Sequence, residues 1–298
     1  MSFSYPDGTT ALHAIRLTVA TGEVIGLLGP NGCGKTTLLR TIARASRRAT
    51  AGLQVRDPGT VALALDRPVF RGWLSGRQNA VTCLRLRGMG RAAAEDVANT
   101  WFERFGLDAV ADRPVSTYSR GIAHRLGLAV AFATKAGLVL LDEPLAGLDP
   151  AARDQVADVL CACVGAGTTV VLSTHDPNFA AANCDRVAFL ADGRLLAVET
   201  PSSFIASVGG ETRIDIRFGQ TEAPFERLPP PPTGIHERAR TPGGISLGVE
   251  DPPRALPLAL TWLSGAGVRV SSVDVREPGL REAYFKVTGQ RLEPERTE

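Results

Sequence analysis

Apolar runs alternate with helical periodicities through the first two thirds of the chain. Residues 23–28, 138–141 and 170–173 form short apolar runs, the pattern of strands buried on both faces. Each is followed by a stretch that reads as helix, over residues 36–45, 151–164 and 179–183. Strand and helix in alternation predict an α/β unit with a mainly parallel sheet. The segment after Asp149 and Pro150 shows how one of these helices is specified. Asp149 can accept hydrogen bonds from the free first-turn amides, and Pro150 suits the first helical position. Val156, Val159, Leu160 and Cys163 then recur at helical spacing, which predicts one buried stripe, and Gly165 is expected to stop the helix.

The last third reads differently. Eight prolines lie before residue 201 and twelve from Pro201 onward, including the run Pro229 to Pro232. A proline run cannot pair inside a sheet or sit inside a helix, so it reads as a stiff surface connection. Residues 213–218, 244–249 and 268–275 read as strands, and 254–263 and 280–287 as helices. The expected division is a larger unit over residues 1–208 and a smaller C-terminal α+β accessory domain over 209–298, with a proline-rich segment at 222–233.

Composition excludes several functions. With 298 residues, 44% of them hydrophobic and 21% charged, the chain can bury a core without staples. A net charge of +2, from 33 basic and 31 acidic residues, gives no electrostatic case for nucleic-acid binding. Lysine is confined to Lys35, Lys135 and Lys286, which makes those positions worth following. Five scattered cysteines show no metal-ligand spacing and predict reduced, buried thiols. The N-terminus has no basic-then-apolar leader, and no uncharged apolar run reaches the roughly 18 residues that span a bilayer. The chain is therefore expected not to cross a membrane by itself.

The candidate chemistry begins at Gly29-Pro30-Asn31-Gly32-Cys33-Gly34-Lys35-Thr36, which fits the phosphate-binding pattern G-x-x-x-x-G-K-[ST]. It lies between an apolar strand and a helical run, as the pattern requires. Its glycines let backbone amides turn inward around phosphates at the positive end of the helix. Lys35 is suited to the β- and γ-phosphates and the Thr36 hydroxyl to Mg²⁺. Residues 138–141 then lead into Asp142 and Glu143, at a strand end where open parallel sheets place their ligands. Asp142 suits the Mg²⁺ shell, and Glu143 suits activation of a water.

In the order and spacing of these motifs the chain resembles the ATP-binding subunit of an ABC transporter, over roughly residues 1–205. Three further segments carry the resemblance. Tyr118-Ser119-Arg120-Gly121-Ile122 stands in the place of the family signature LSGGQ, Leu145-Ala146-Gly147-Leu148-Asp149 resembles the D-loop, and Ser173-Thr174-His175-Asp176 resembles the switch-histidine loop. The resemblance implies the P-loop NTPase fold of ABC ATPases, ATP as substrate and Mg²⁺ as cofactor. It implies that Tyr5 stacks on adenine and that Gly29 to Thr37 hold the phosphates, Thr37 included. His175 would hydrogen-bond the γ-phosphate and the attacking water.

Ser119 and Gly121 would complete the nucleotide site of an opposite subunit, so a dimer is implied, of two copies or of this chain with a paralogue. A separate polytopic membrane subunit is implied too, docking near residues 72–87, with the chain peripheral on the cytoplasmic face. Residues 275–289 resemble the tail of ABC-2-type exporter subunits and so favour export. Three positions depart from the family pattern. Arg120 and Ile122 replace a glycine and the glutamine of the signature, and Asp66 stands where the family usually has glutamine. Asp66 either reaches the metal through water or is a plain turn residue. The alternative reading is a soluble ABC-type ATPase acting on ribosomes or nucleic acid; a single P-loop, no heptads and near-neutral charge weigh against it. A nucleotide sensor without efficient turnover is a third, resting on Asp66 and Ile122.

Overall fold

The structure, a computed structural model, describes residues 1–45, 60–208, 211–219, 228–241, 243–290 and 292. Residues 222–227 of the expected proline-rich segment lie outside the described residues. Contacts group Met1–Pro201, with the residues from Val287, into one compact unit and Ser202–Lys286 into a second.

The first unit opens with a short antiparallel pair, β1 (Phe3–Ser4) and β2 (Thr10–Leu12). Strand β3 (Val24–Leu28) is buried throughout and runs into the glycine-rich loop and helix α1 (Lys35–Ala45). Strand β4 (Val61–Ala64) precedes three helices, α2 (Gly76–Arg85), α3 (Arg91–Arg104) and α4 (Arg120–Ala133). The chain continues through β5 (Leu138–Asp142), α5 (Pro150–Gly165), β6 (Thr169–Thr174), α6 (Pro177–Asn183), β7 (Arg186–Ala191) and β8 (Arg194–Glu199).

The six long strands form one sheet in the order β4-β5-β6-β3-β7-β8, parallel except for the edge pair β7–β8. Every residue of β3, β5 and β6 is buried, so these strands show no alternation and read as plain apolar runs. The order places the ends of β5, β6 and β3 side by side, with Asp142 in register with Ser173 and Leu28 with Thr174. Three segments far apart in sequence therefore meet at one end of the sheet.

Gly29 can only be glycine here: a Cβ would run into the Leu190 carbonyl of β7 and lie 2.8 Å from Cys33 Sγ. Helix α5 starts as expected, with Asp149 Oδ1 accepting from the Ala152 amide at 2.9 Å and Pro150 in the first turn. Val156, Val159 and Leu160 are buried and Cys163 is half-buried. Its end differs from the expectation. Gly165 is the last helical residue, and the reversal falls at Gly167, whose φ of 88° is the left-handed conformation that glycine adopts without strain. The thiols also depart from expectation, since Cys33 and Cys184 are buried but Cys161 is exposed.

The second unit contains α7 (Pro201–Val208), β9 (Thr212–Phe218), β10 (Ile235–Thr241), β11 (Gly244–Val249), α8 (Pro252–Gly265) and β12 (Val270–Arg276). Helix α9 (Leu280–Thr288) follows. The strands make an antiparallel sheet ordered β10-β11-β9-β12. Ile214, Ile216, Leu247 and Val249 pack against Ala255, Ala259 and Leu263 of α8 as its core. Lys286 donates to the Ser207 and Val208 carbonyls at 2.7 and 3.0 Å, satisfying acceptors that the end of α7 leaves free. Among the described residues, no helix is long and apolar enough to cross a membrane.

Helix α2 starts with a capping box: Ser75 Oγ accepts from the Gln78 amide and Gln78 Oε1 accepts from the Ser75 amide, at 3.1 and 2.9 Å. Losing such a cap costs about 1 kcal/mol. We expect Ser75→Ala to lower the melting temperature by about 2–4 °C, measured by circular dichroism, and Ser75→Asp to lower it less.

Candidate functional site

The ends of β3, β5 and β6 open onto a cavity of about 710 Å³. Tyr5, Asn31, Gly32, Gly34, Lys35, Thr36, Thr37, Asp66, Asp142 and Glu143, all singled out from the sequence, line it. Its other lining residues, among them Thr10, His13, Asp192 and Gly193, come from β2 with its flanking residues and from the β7–β8 turn. Sequence reasoning missed these. Their one local signal was the Asp192-Gly193 turn, and nothing in the sequence says that it faces the glycine-rich loop. The His13 amide donates to the Gly193 carbonyl at 2.8 Å, and the Gly193 amide donates to the Cys33 carbonyl at 3.0 Å.

The polar groups form one connected set. The Thr36 hydroxyl donates to the Asp142 carboxylate, 2.9 Å from either oxygen. The Ser173 hydroxyl donates to Asp142 Oδ1 at 2.7 Å, and the Glu143 amide reaches Ser173 Oγ at 2.9 Å. Asp142, only 4% exposed, is thus satisfied by two hydroxyls from the neighbouring segments.

Lys35 is buried and donates to the Gly29 and Pro30 carbonyls at 2.6 and 3.2 Å, and its ammonium lies 3.2 Å from Glu143 Oε1. His175 Nδ1 lies 2.9 Å from Glu143 Oε2. Burial works against ionising Glu143, but the His175 hydrogen bond and the charge of Lys35 outweigh it and hold the carboxyl below the ordinary glutamate range. Glu143 has a φ of 49°, the left-handed region that a residue with a Cβ adopts at a cost. That turn aims its carboxylate back at Lys35 and His175.

Tyr5 sits at the cavity wall, 40% exposed, with its hydroxyl 2.8 Å from Thr37 Oγ1 and its ring edge-on to Phe3. Cys33 is buried, and burial pushes its thiol up. Ser119 and Gly121 are not among the cavity-lining residues. They lie at the start of α4, where Ser119 Oγ caps the helix by accepting from the Ile122 amide at 3.3 Å. Asp66 borders the cavity, but its carboxylate receives Arg120, with Nη2 3.0 Å from both oxygens. Two of the three departures from the expected pattern, Asp66 and Arg120, are therefore partners of each other.

The description "ABC transporter" belongs to the family model that matches residues 12–146. Over 98% of its length the chain is 34% identical to the daunorubicin/doxorubicin resistance ATP-binding protein DrrA of Streptomyces peucetius, spanning 92% of that protein. It is 29% identical to the Nod factor export ATP-binding protein I of a Rhizobium species, over 95% of this chain and 93% of that one. Among solved structures, a dimeric ATP-binding cassette in a post-hydrolysis state with ADP and Pi has the same fold. It has a TM-score of 0.59 and 21% identity, and covers 67% of this chain and 94% of its own.

A carboxyl held below its ordinary range contributes stability that is complete above the unfolded-state value, about 4.3 for glutamate, and fades as pH falls through the lower folded-state value. We expect the stability of the wild type relative to Glu143→Gln to fall as pH drops from 6 toward 3.5. Paired urea denaturation curves would show it, and a relative stability that rises with acid would contradict the assignment.

Proposed function

This chain belongs to the ABC transporter family of ATP-binding proteins, and we propose that it drives export of a substrate through a separate membrane subunit. It is an ATP hydrolase. The observation that carries the mechanism is the contact of Glu143 with both Lys35 and His175, at 3.2 and 2.9 Å. An incoming γ-phosphate competes with Glu143 for the Lys35 ammonium. Once Lys35 turns to phosphate, the freed carboxylate oxygen can take a proton from an attacking water, while His175 keeps the other oxygen oriented. General-base assistance of this kind is worth roughly 10²–10⁴-fold in rate.

Thr36 and Asp142 fit Mg²⁺. The ion prefers hard oxygen ligands and keeps several waters, so one hydroxyl and one carboxylate beside a triphosphate suffice. Bound there, it would neutralise charge on the β- and γ-phosphates. Tyr5 is the residue for the adenine ring, since it lines the cavity and stays exposed there.

Ser119 and Gly121 stand outside their own chain's cavity, which supports their serving a second subunit across a nucleotide-bridged dimer. The membrane subunit would dock on an apolar surface beside α2, where Val69, Trp73 and Leu86 are 91%, 76% and 83% exposed. A chain docked there would lie at the cytoplasmic face of the membrane. The relatives named for drug resistance and Nod factor export support the direction of transport.

Tagged Glu143→Gln protein, loaded with ATP and Mg²⁺ and recovered from detergent-solubilised membranes of its own cell, should bring down a stoichiometric polytopic membrane protein. Trp73→Asp should lose that partner while still binding ATP. Recovery of ribosomes or soluble proteins alone would replace the export reading with that of a soluble ATPase.

A further inference from the structure

Helix α4 carries Arg120 and His124 one turn apart, on one face of its first turns. Both grip the same residue. Arg120 holds the Asp66 carboxylate at 3.0 Å, and His124 Nδ1 lies 3.2 Å from the Asp66 carbonyl oxygen. The other nitrogen of that ring, Nε2, lies 3.1 Å from the carbonyl oxygen of Pro144, the residue after Glu143. His124 is 1% exposed, and the proposed hydrolytic chemistry makes no use of it. Helix and loop also pack closely, since a Cβ on Gly127 would lie 3.2 Å from Pro68 Cβ.

We infer that Arg120 and His124 are positioning residues, which together fix Asp66 at the edge of the nucleotide cavity and tie the peptide after Glu143 to the start of α4. A carbonyl oxygen only accepts, so each contact of His124 needs a protonated ring nitrogen, and a neutral ring secures one loop at a time. Arg120 holds Asp66 independently through its side chain, so the loop stays fastened whichever carbonyl the ring serves. The left-handed turn at Glu143 is strained and needs such support from outside its own strand. Because Ser119 caps the same helix, the ring links the signature turn of a chain to the loop after that chain's own Glu143 whenever it serves the Pro144 carbonyl. This deepens the ATPase reading and rests on it.

Two measurements on the full chain test it, and only one depends on hydrolysis. In the first, amide hydrogen exchange is followed by mass spectrometry for Arg120→Gln and His124→Gln. Exchange should rise at residues 65–69 in both variants and at 143–146 in His124→Gln, by about two- to fivefold, with β9 to β11 unchanged. Unaltered exchange at 65–69 overturns the grip, and a rise spread over the whole first unit would mean a general loss of fold.

In the second, phosphate release from ATP and Mg²⁺ is measured for Arg120→Gln, Asp66→Asn and the double variant. Each single change should lower kcat about two- to fivefold with KM for ATP little altered, and the double variant should be no slower than the slower single. Effects that multiply, or that fall on KM, overturn the positioning role. A wild type no faster than Lys35→Ala would instead defeat the hydrolysis reading and with it the catalytic service of the grip, while the exchange data still decide whether the grip exists.

Discussion

The pairing of β5 with β6, which sets Asp142 directly beside Ser173, is the constraint on which the site depends. A carboxylate as buried as Asp142 is costly unless hydrogen-bonded, and an unsatisfied partner costs about 1–3 kcal/mol or more. Ser173 and Thr36 both meet that demand, the first from strand β6 and the second from the first turn of α1. The Ser173 hydroxyl also accepts from the Glu143 amide, so one side chain fixes the Asp142 carboxylate, proposed to hold Mg²⁺, and the turn that carries Glu143, the proposed base. A slip of one residue in this register would turn every side chain of β5 to the opposite face and break the set.

Around that fixed point the electrostatics are arranged for exchange of partners. Lys35 is shared between the loop carbonyls and Glu143, and Glu143 between Lys35 and His175. A triphosphate entering the cavity offers Lys35 more negative charge than one carboxylate does. Binding there would change the surroundings of Glu143. The Asp66–Arg120 pair is a second electrostatic contact at the cavity edge. Glutamine and glycine, usual at these positions in the family, could not form it; aspartate and arginine can, across 54 positions of sequence.

Much of the site was legible because its signals are local. The glycine-rich loop is contiguous, Asp142 and Glu143 close an apolar run, and Asp149 with Pro150 announces a helix start. What stayed hidden depends on distant partners. Nothing near His13 or Asp192 shows that β2 and the β7–β8 turn wall the cavity, and His124 reads as one more residue of α4 until its two carbonyl partners are in place. Strand β10 was missed because only Ile235 along it is buried, so its sequence carries no alternation. The end of α5 was displaced by two residues because Gly165 and Gly167 both carry the stop signal, and only φ distinguishes them.

The most direct test of the central claim is ATP binding and phosphate release measured on one preparation of Glu143→Gln. ATP should bind in Mg²⁺ with near wild-type affinity while release falls about 10²-fold or more, because the phosphate-binding residues remain and the proposed base is gone. Release at the wild-type rate would contradict it, and would mean that another group activates the water.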